Sequence, residues 1–273
     1  MDYLLQVHGL SLRAACKALR LSRTVYRYHP DTTKDQPVID VLQGLVERFP
    51  RYGFGKLFVL IRRQGHRWNH KRVHRIYRSL GLNIRRKGKR RLPNRNPAPL
   101  TVPERINQCW STDFMSDALW DGRRFRTFNV VDNCNREALM IDIDLNLPAQ
   151  RVLRALDRIA LWRGYPAKLR LDNGPEFTSV LMADWAEEHG VDLEFIQPGK
   201  PTQNSFIERF NRTYREEVLD LYIFQSLSEV REMTDSWLKE YNEIRPHESL
   251  GNRTPVELLG EVFQPPVSTY AWY

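Results

Sequence analysis

The chain has 273 residues, 41% of them hydrophobic, enough to bury a sizeable core and to form about two domains. It carries 42 Lys and Arg against 33 Asp and Glu, a formal charge of +9 that favours polyanionic partners, of which nucleic acid is the commonest. Cys16, Cys109 and Cys134 are scattered, which excludes a disulfide framework and a Cys-x-x-Cys zinc site. No run of about 18 apolar residues and no signal peptide is present, so the expected location is cytoplasmic, with no membrane partner.

Helical periods dominate the first hundred residues. Leu12, Ala15, Cys16 and Leu19 recur at three- and four-residue steps, and Ser22 is placed to cap a second helix, so residues 1–36 read as a helix-turn-helix-like segment. A helical hairpin without DNA contact has the same periodicity. Residues 37–84 form a second helical unit, with Val38, Leu42 and Leu45, then Leu57, Leu60 and Ile61, then Val73, Ile76 and Tyr77 facing inward. Its last helix leaves Lys71, Arg72 and Arg75 outward, where they suit phosphate and major-groove contact. His66, His70 and His74 recur every fourth residue, but no further Cys or His completes a metal site; they read as polar or DNA-facing. Residues 85–105 are a Pro-containing linker that opens with Arg85, Arg86 and Lys87 and reads as a DNA tether.

From Ile106 the pattern becomes alternating β and α. Strands are expected over 109–114, 125–132, 138–145, 168–171 and 192–196, with helices over 149–162 and 179–188. The order matches an RNase H-like α/β domain over 106–225, with a mixed five-stranded sheet. Residues 226–273 are a helical C-terminal segment and tail.

Three acids stand in distinctive settings. Asp113 falls inside the first strand, where an acid is unfavourable unless paired or functional. Asp172 ends the fourth strand before Asn173-Gly174, and ligands of open α/β sheets gather at such carboxyl ends. Glu208 opens a helix after a Pro- and Gly-containing loop. Carboxylates converging on a basic protein point to Mg²⁺ or Mn²⁺ held against a phosphodiester. Each acid also has an ordinary reading. Asp113 could be a surface acid at a sheet edge, Asp172 a turn former, and Glu208 the partner of Ser205 in a capping box. Asp117, Asp132, Asp142 and Asp144 are rival acids on or near the same strands, Asp132 the strongest.

At these segments (Trp110-Ser111-Thr112-Asp113, Asp172-Asn173-Gly174-Pro175-Glu176-Phe177 and Pro201-Thr202-Gln203-Asn204 running to Glu208) the chain resembles the DDE transposases of bacterial insertion sequences. These are relatives of retroviral integrases, and the match is to the second-frame, orfB-type products. The family spacing of 35 residues between its last two acids is met by Asp172 and Glu208, and Arg215 fills the basic position seven beyond the Glu. Arg51-Tyr52-Gly53 upstream, and Tyr241-Asn242, Arg245-Pro246-His247 and Thr254-Pro255 downstream, match further family blocks.

The resemblance implies that Asp113, Asp172 and Glu208 hold two Mg²⁺ ions, with Mn²⁺ able to substitute, for DNA cleavage and strand transfer. It implies DNA contacts from Lys200, Gln203 and Asn204 in the loop and from Arg212 and Arg215 on the helix. The partners implied are element ends and target DNA, a second copy of the chain on DNA, and an upstream-frame product as fusion or partner. The implied location is bacterial and nucleoid-associated. Two other readings are a nuclease that cuts without joining, and a DNA-binding module or regulator with a decayed nuclease core.

Overall fold

The computed structural model describes residues 1–28, 33–84, 102–197 and 201–262. Three short helices come first: α1 (Asp2–Gln6), α2 (Leu12–Ala18) and α3 (Arg23–Arg27), the last capped by the Ser22 hydroxyl, which accepts from Val25 N–H. They bury little beyond Ala15 and Cys16, and Tyr3, Val7, Val25 and Tyr28 stay exposed.

The second unit is better packed. Helices α4 (Gln36–Arg48), α5 (Phe54–Arg63) and α6 (His70–Ser79) enclose Val38, Leu42, Leu57, Ile61 and Val73, all fully buried as the periodicity expects. Each such side chain contributes about 1.5–3 kcal/mol on burial. The three histidines stay at the surface as expected, His70 exposed and His66 and His74 half-buried, each with an aromatic neighbour. His70 and His74 lie edge-on against the Phe54 ring, and His66 stacks on Trp68.

The remaining chain builds an α–β–α layer. Strands β1 (Trp110–Ala118), β2 (Arg124–Asp132), β3 (Ala138–Asp144), β4 (Lys168–Leu171) and β5 (Asp192–Phe195) form one mixed sheet in the order β3-β2-β1-β4-β5. The first three meander antiparallel, Gly122 making the first turn at φ 84°, where a side chain would be strained. The two later strands run parallel to β1, each reached through a helix, α7 (Ala149–Arg163) and then α8 (Val180–His189).

Alternation along the strands divides the core. Trp110, Phe128, Val130 and Leu169 pack with α7 and α8 on one face. Phe125, Val131, Ile141 and Ile143 pack on the other against α9 (Ser205–Tyr214) and α10 (Leu227–Glu243). Arg231 and Asn242 of α10 bond to the backbone of edge strand β3 at Ile143 and Ala138, which covers that edge. The helical unit is fastened to the C-terminal helices, α10 and α11 (Pro255–Val262), by Arg48–Glu240 and Arg63–Glu257, both 2.7 Å. Among the described residues, no helix is long and apolar enough to cross a membrane.

Candidate active site

The sheet register brings the two aspartates side by side. Trp110 pairs with Leu169 and Ser111 with Arg170, an offset of 59 residues, and the same offset carries Asp113 to Asp172 just past the last paired positions. Asp113 is half-buried on the face that α9 covers. Across the strand pair it sits opposite Asn129. Asn211 of α9 joins the two: its amide donates to Asp113 Oδ2 at 2.7 Å, and its carbonyl accepts from Asn129 Nδ2 at 2.7 Å. The Phe114 N–H donates to the other carboxylate oxygen at 2.8 Å. Sequence reasoning missed Asn129 and Asn211, although an Asn three positions after a helical Glu shares its face.

Asp172 forms the expected turn, its Oδ1 accepting from Gly174 N–H at 3.0 Å. Gly174 leaves these carboxylates room: a Cβ there would lie 3.0 Å from that same Asp172 oxygen and 3.3 Å from Glu176, so one of them would have to shift. Glu208 stands exposed in the first turn of α9. Its capping-box alternative is not how the helix begins. The N-cap is Asn204, Ser205 is already helical, and Glu208 makes no hydrogen bond to any described residue. Helix α9 packs over β1 and β2, bringing Glu208 into electrostatic reach of the aspartates.

Burial raises the Asp113 carboxyl to about 6, and the negative charges of Asp172 and Glu208 push the same way, outweighing the bonds from Phe114 and Asn211. Among the described residues, no three His, Cys, Asp or Glu side chains are drawn up to metal-ligating distance, these three included. Their chemistry suits a hard divalent cation, because all three are oxygen donors and none is ion-paired with a described residue.

The rival acids are neutralised. Asp132 is fully buried, accepts from the Asn107 and Cys134 N–H groups, and shares buried Arg163 with Glu137. Asp142 pairs with Arg151 at 2.7 Å and Arg158 at 3.2 Å, and Asp144 with Arg151 and Arg231. Asp117 pairs with Arg215 at 2.7 Å.

The residues expected to contact DNA are placed in different settings. Asn204 is buried, its amide donating to the Thr112 carbonyl, so it fixes α9 against β1 and faces no solvent. Arg215 is held by Asp117 and the Ser116 carbonyl, which ties the end of α9 to the end of β1. Arg72 and Arg75 both bond Asp35, at 2.9 and 2.6 Å. Gln203 accepts from Gln197 N–H at 2.9 Å. Lys71 and Arg212 remain exposed without an ion pair among the described residues. Lys200, Arg85, Arg86 and Lys87 lie outside the described residues.

Comparison with known proteins agrees with this geometry. Residues 34–90 match an HTH-like domain, and residues 103–201 and 189–255 each match an integrase core domain. The chain is 41% identical over 254 residues to an uncharacterised protein of insertion element IS407 from Burkholderia multivorans, covering 93% of this chain and 92% of that one. It is 25% identical over 268 residues to the putative transposase InsK of element IS150 from Escherichia coli, covering 92% and 94%. In structure it resembles the simian T-cell lymphotropic virus intasome, with TM-score 0.51 and 14% identity over 85% of this chain and 78% of that one, a likeness of fold. Integrase cores are divalent-metal-dependent polynucleotidyl transferases. With sequence, sheet order and relatives in agreement, the chain belongs to the DNA transposases of bacterial insertion elements, enzymes with a helix-turn-helix-like DNA-binding unit and a retroviral-integrase-like core.

Proposed function

We propose that Asp113, Asp172 and Glu208 are the acids of a DDE active site that cuts and joins DNA with two Mg²⁺ ions, Mn²⁺ substituting. The observation that carries this reading is the contrast among acids: these three lie within electrostatic reach of one another without a cation, while Asp117, Asp132, Asp142 and Asp144 each have an arginine. The aspartates would supply ligands from adjacent strand positions, and exposed Glu208 is free to rotate toward them from α9. Bound there, a metal pair supplies activation of the attacking oxygen and stabilisation of the leaving one.

The protein's own groups set the geometry. Asn211 and the Phe114 N–H fix both oxygens of Asp113, so its orientation is established before DNA arrives. The Gly174 N–H aims Asp172. Arg212 is exposed one helical turn beyond Glu208, on the same face, where it can meet a phosphate. Lys71, on the helix-turn-helix-like unit, would add a contact that positions without reading sequence. We place that unit at 37–84 and the core at 106–225, joined by the basic linker.

The test supplies a 3′-hydroxyl element end and a target plasmid. Wild type yields joined product with Mg²⁺ or Mn²⁺, and Asp172→Ala yields none; full Mg²⁺-dependent joining by that variant refutes the assignment. A nuclease that cannot join would give cleaved DNA only. A decayed core would give salt-sensitive binding without product. The same reaction with and without the upstream-frame product tests whether that partner is needed. Sedimentation of the DNA complex reads out a second copy of the chain.

A further inference from the structure

We propose that the cavity on the adjoining face of α9, between the helix-turn-helix-like unit and the C-terminal block, is a second phosphate-binding site that takes a backbone phosphodiester of DNA. The proposal rests on the reading of the chain as a DNA-joining enzyme and adds a site that none of the three acids shares.

The cavity measures about 460 Å³ and is lined by Lys56 of α5, Arg136 of the β2–β3 turn, Arg209 of α9 and Arg245 of the segment after α10, with Ser249 at its rim. Four separate stretches of chain thus deliver one cation each. Arg245 is compensated by the buried Glu217 carboxylate. Lys56, Arg136 and Arg209 make no ion pair among the described residues, and Glu248 is the one acid in the lining. Three uncompensated cations in one concavity repel one another, and an anion entering it relieves that repulsion.

The cations are also aimed. Arg136 stands 3.6 Å over the Phe206 ring and donates to the Asn133 carbonyl, and its own backbone takes φ 61°, a left-handed conformation unfavourable for an arginine. Lys56 Nζ and the Arg245 guanidinium both lie over Tyr52, at 4.8 and 5.1 Å. Desolvation, with the charge of Arg245, lowers the Lys56 ammonium to about 8, as expected of a cation short of a counter-ion. Guanidinium forks and an ammonium point charge together match a tetrahedral phosphate.

Position on the helix supports DNA as the source. Phe206, Arg209 and Thr213 follow one face of α9, and Glu208, Asn211 and Arg212 follow the adjoining one, with Arg209 and Arg212 neighbours one turn apart. A duplex reaching the acids can therefore be held from two adjoining faces of one helix. The site would also give the family block around Arg245, Pro246 and His247 a task, since these residues wall the cavity.

The experiment is pulse acylation of Lys56 in the full chain without Mg²⁺, read by mass spectrometry, with duplex DNA, inorganic phosphate or chloride at matched ionic strength. Duplex DNA is expected to slow Lys56 modification several-fold relative to chloride, and phosphate to do so at higher concentration. The double variant Arg136→Gln/Arg209→Gln, with melting temperature confirming its fold, is expected to lose that protection. Its log-affinity for duplex should depend on log salt with a slope smaller by about one, the share of one phosphate. Lys56→Arg, which keeps the charge, should keep the wild-type slope. Protection by phosphate alone overturns DNA as the source, and protection by neither overturns the site. Asp172→Ala is expected to retain protection, so failure of the catalytic reading and failure of this one are told apart.

Discussion

Two sets of acids share one sheet and are partnered in opposite ways. Asp132, buried at the end of β2, is enclosed by two backbone N–H groups and Arg163, and Asp142 and Asp144 on β3 are clamped by Arg151. Asp113 and Asp172, on β1 and at the end of β4, have only neutral donors and face a third acid on α9. The first set is held as folded proteins hold buried charge, by compensation. The second keeps charge uncompensated, which favours a cation that arrives from outside.

The largest way to break this contrast is Asp172→Ala. Strand transfer should fall by more than the roughly 10–100-fold typical of groups that merely support a metal ligand. The metal-free melting temperature should hold or rise, because a like charge has been removed from the cluster. Arg163→Met is the converse: it strands Asp132 and Glu137 in the interior and should lower stability by roughly 3–5 kcal/mol in denaturant unfolding. If Arg163→Met folds normally while Asp172→Ala unfolds, the two sets have been assigned the wrong way round. Asn211→Leu sharpens the comparison by freeing Asp113 while leaving every acid in place. Turnover should drop about 10–100-fold with DNA affinity unchanged. Gly174→Ala should reduce turnover less, by pushing the Asp172 carboxylate from its turn, with little change in melting temperature. Asp117→Asn should be smallest, within about 1 kcal/mol, since its pair with Arg215 is partly exposed.

How much of this the sequence carried depends on the distance over which each signal acts. Local chemistry was readable: the Ser22 cap, the bounds of β4, the Asp172-Asn173-Gly174 turn and the meander-then-crossover order that makes the core. Long-range pairing was not. Nothing near Arg72 or Arg75 announces Asp35, which lies 37 and 40 residues away, and a basic helix looks equally outward with or without it. Asn204 sits in a loop of DNA-contacting appearance, yet its amide is spent on β1. Arg215 fills its family position but meets Asp117, across 98 residues of chain. The same limit hid Asn211 and the cations around α9, because a helix declares its faces and not what each face will meet.

The most direct test of the uncompensated acids is Mn²⁺ binding by the DNA-bound protein, followed through enhanced water-proton relaxation. Wild type should bind the ion and lose binding in Asp113→Asn, Asp172→Asn and Glu208→Gln, while Asp142→Asn binds as wild type. Undiminished Mn²⁺ binding in all three of the first variants would contradict the account.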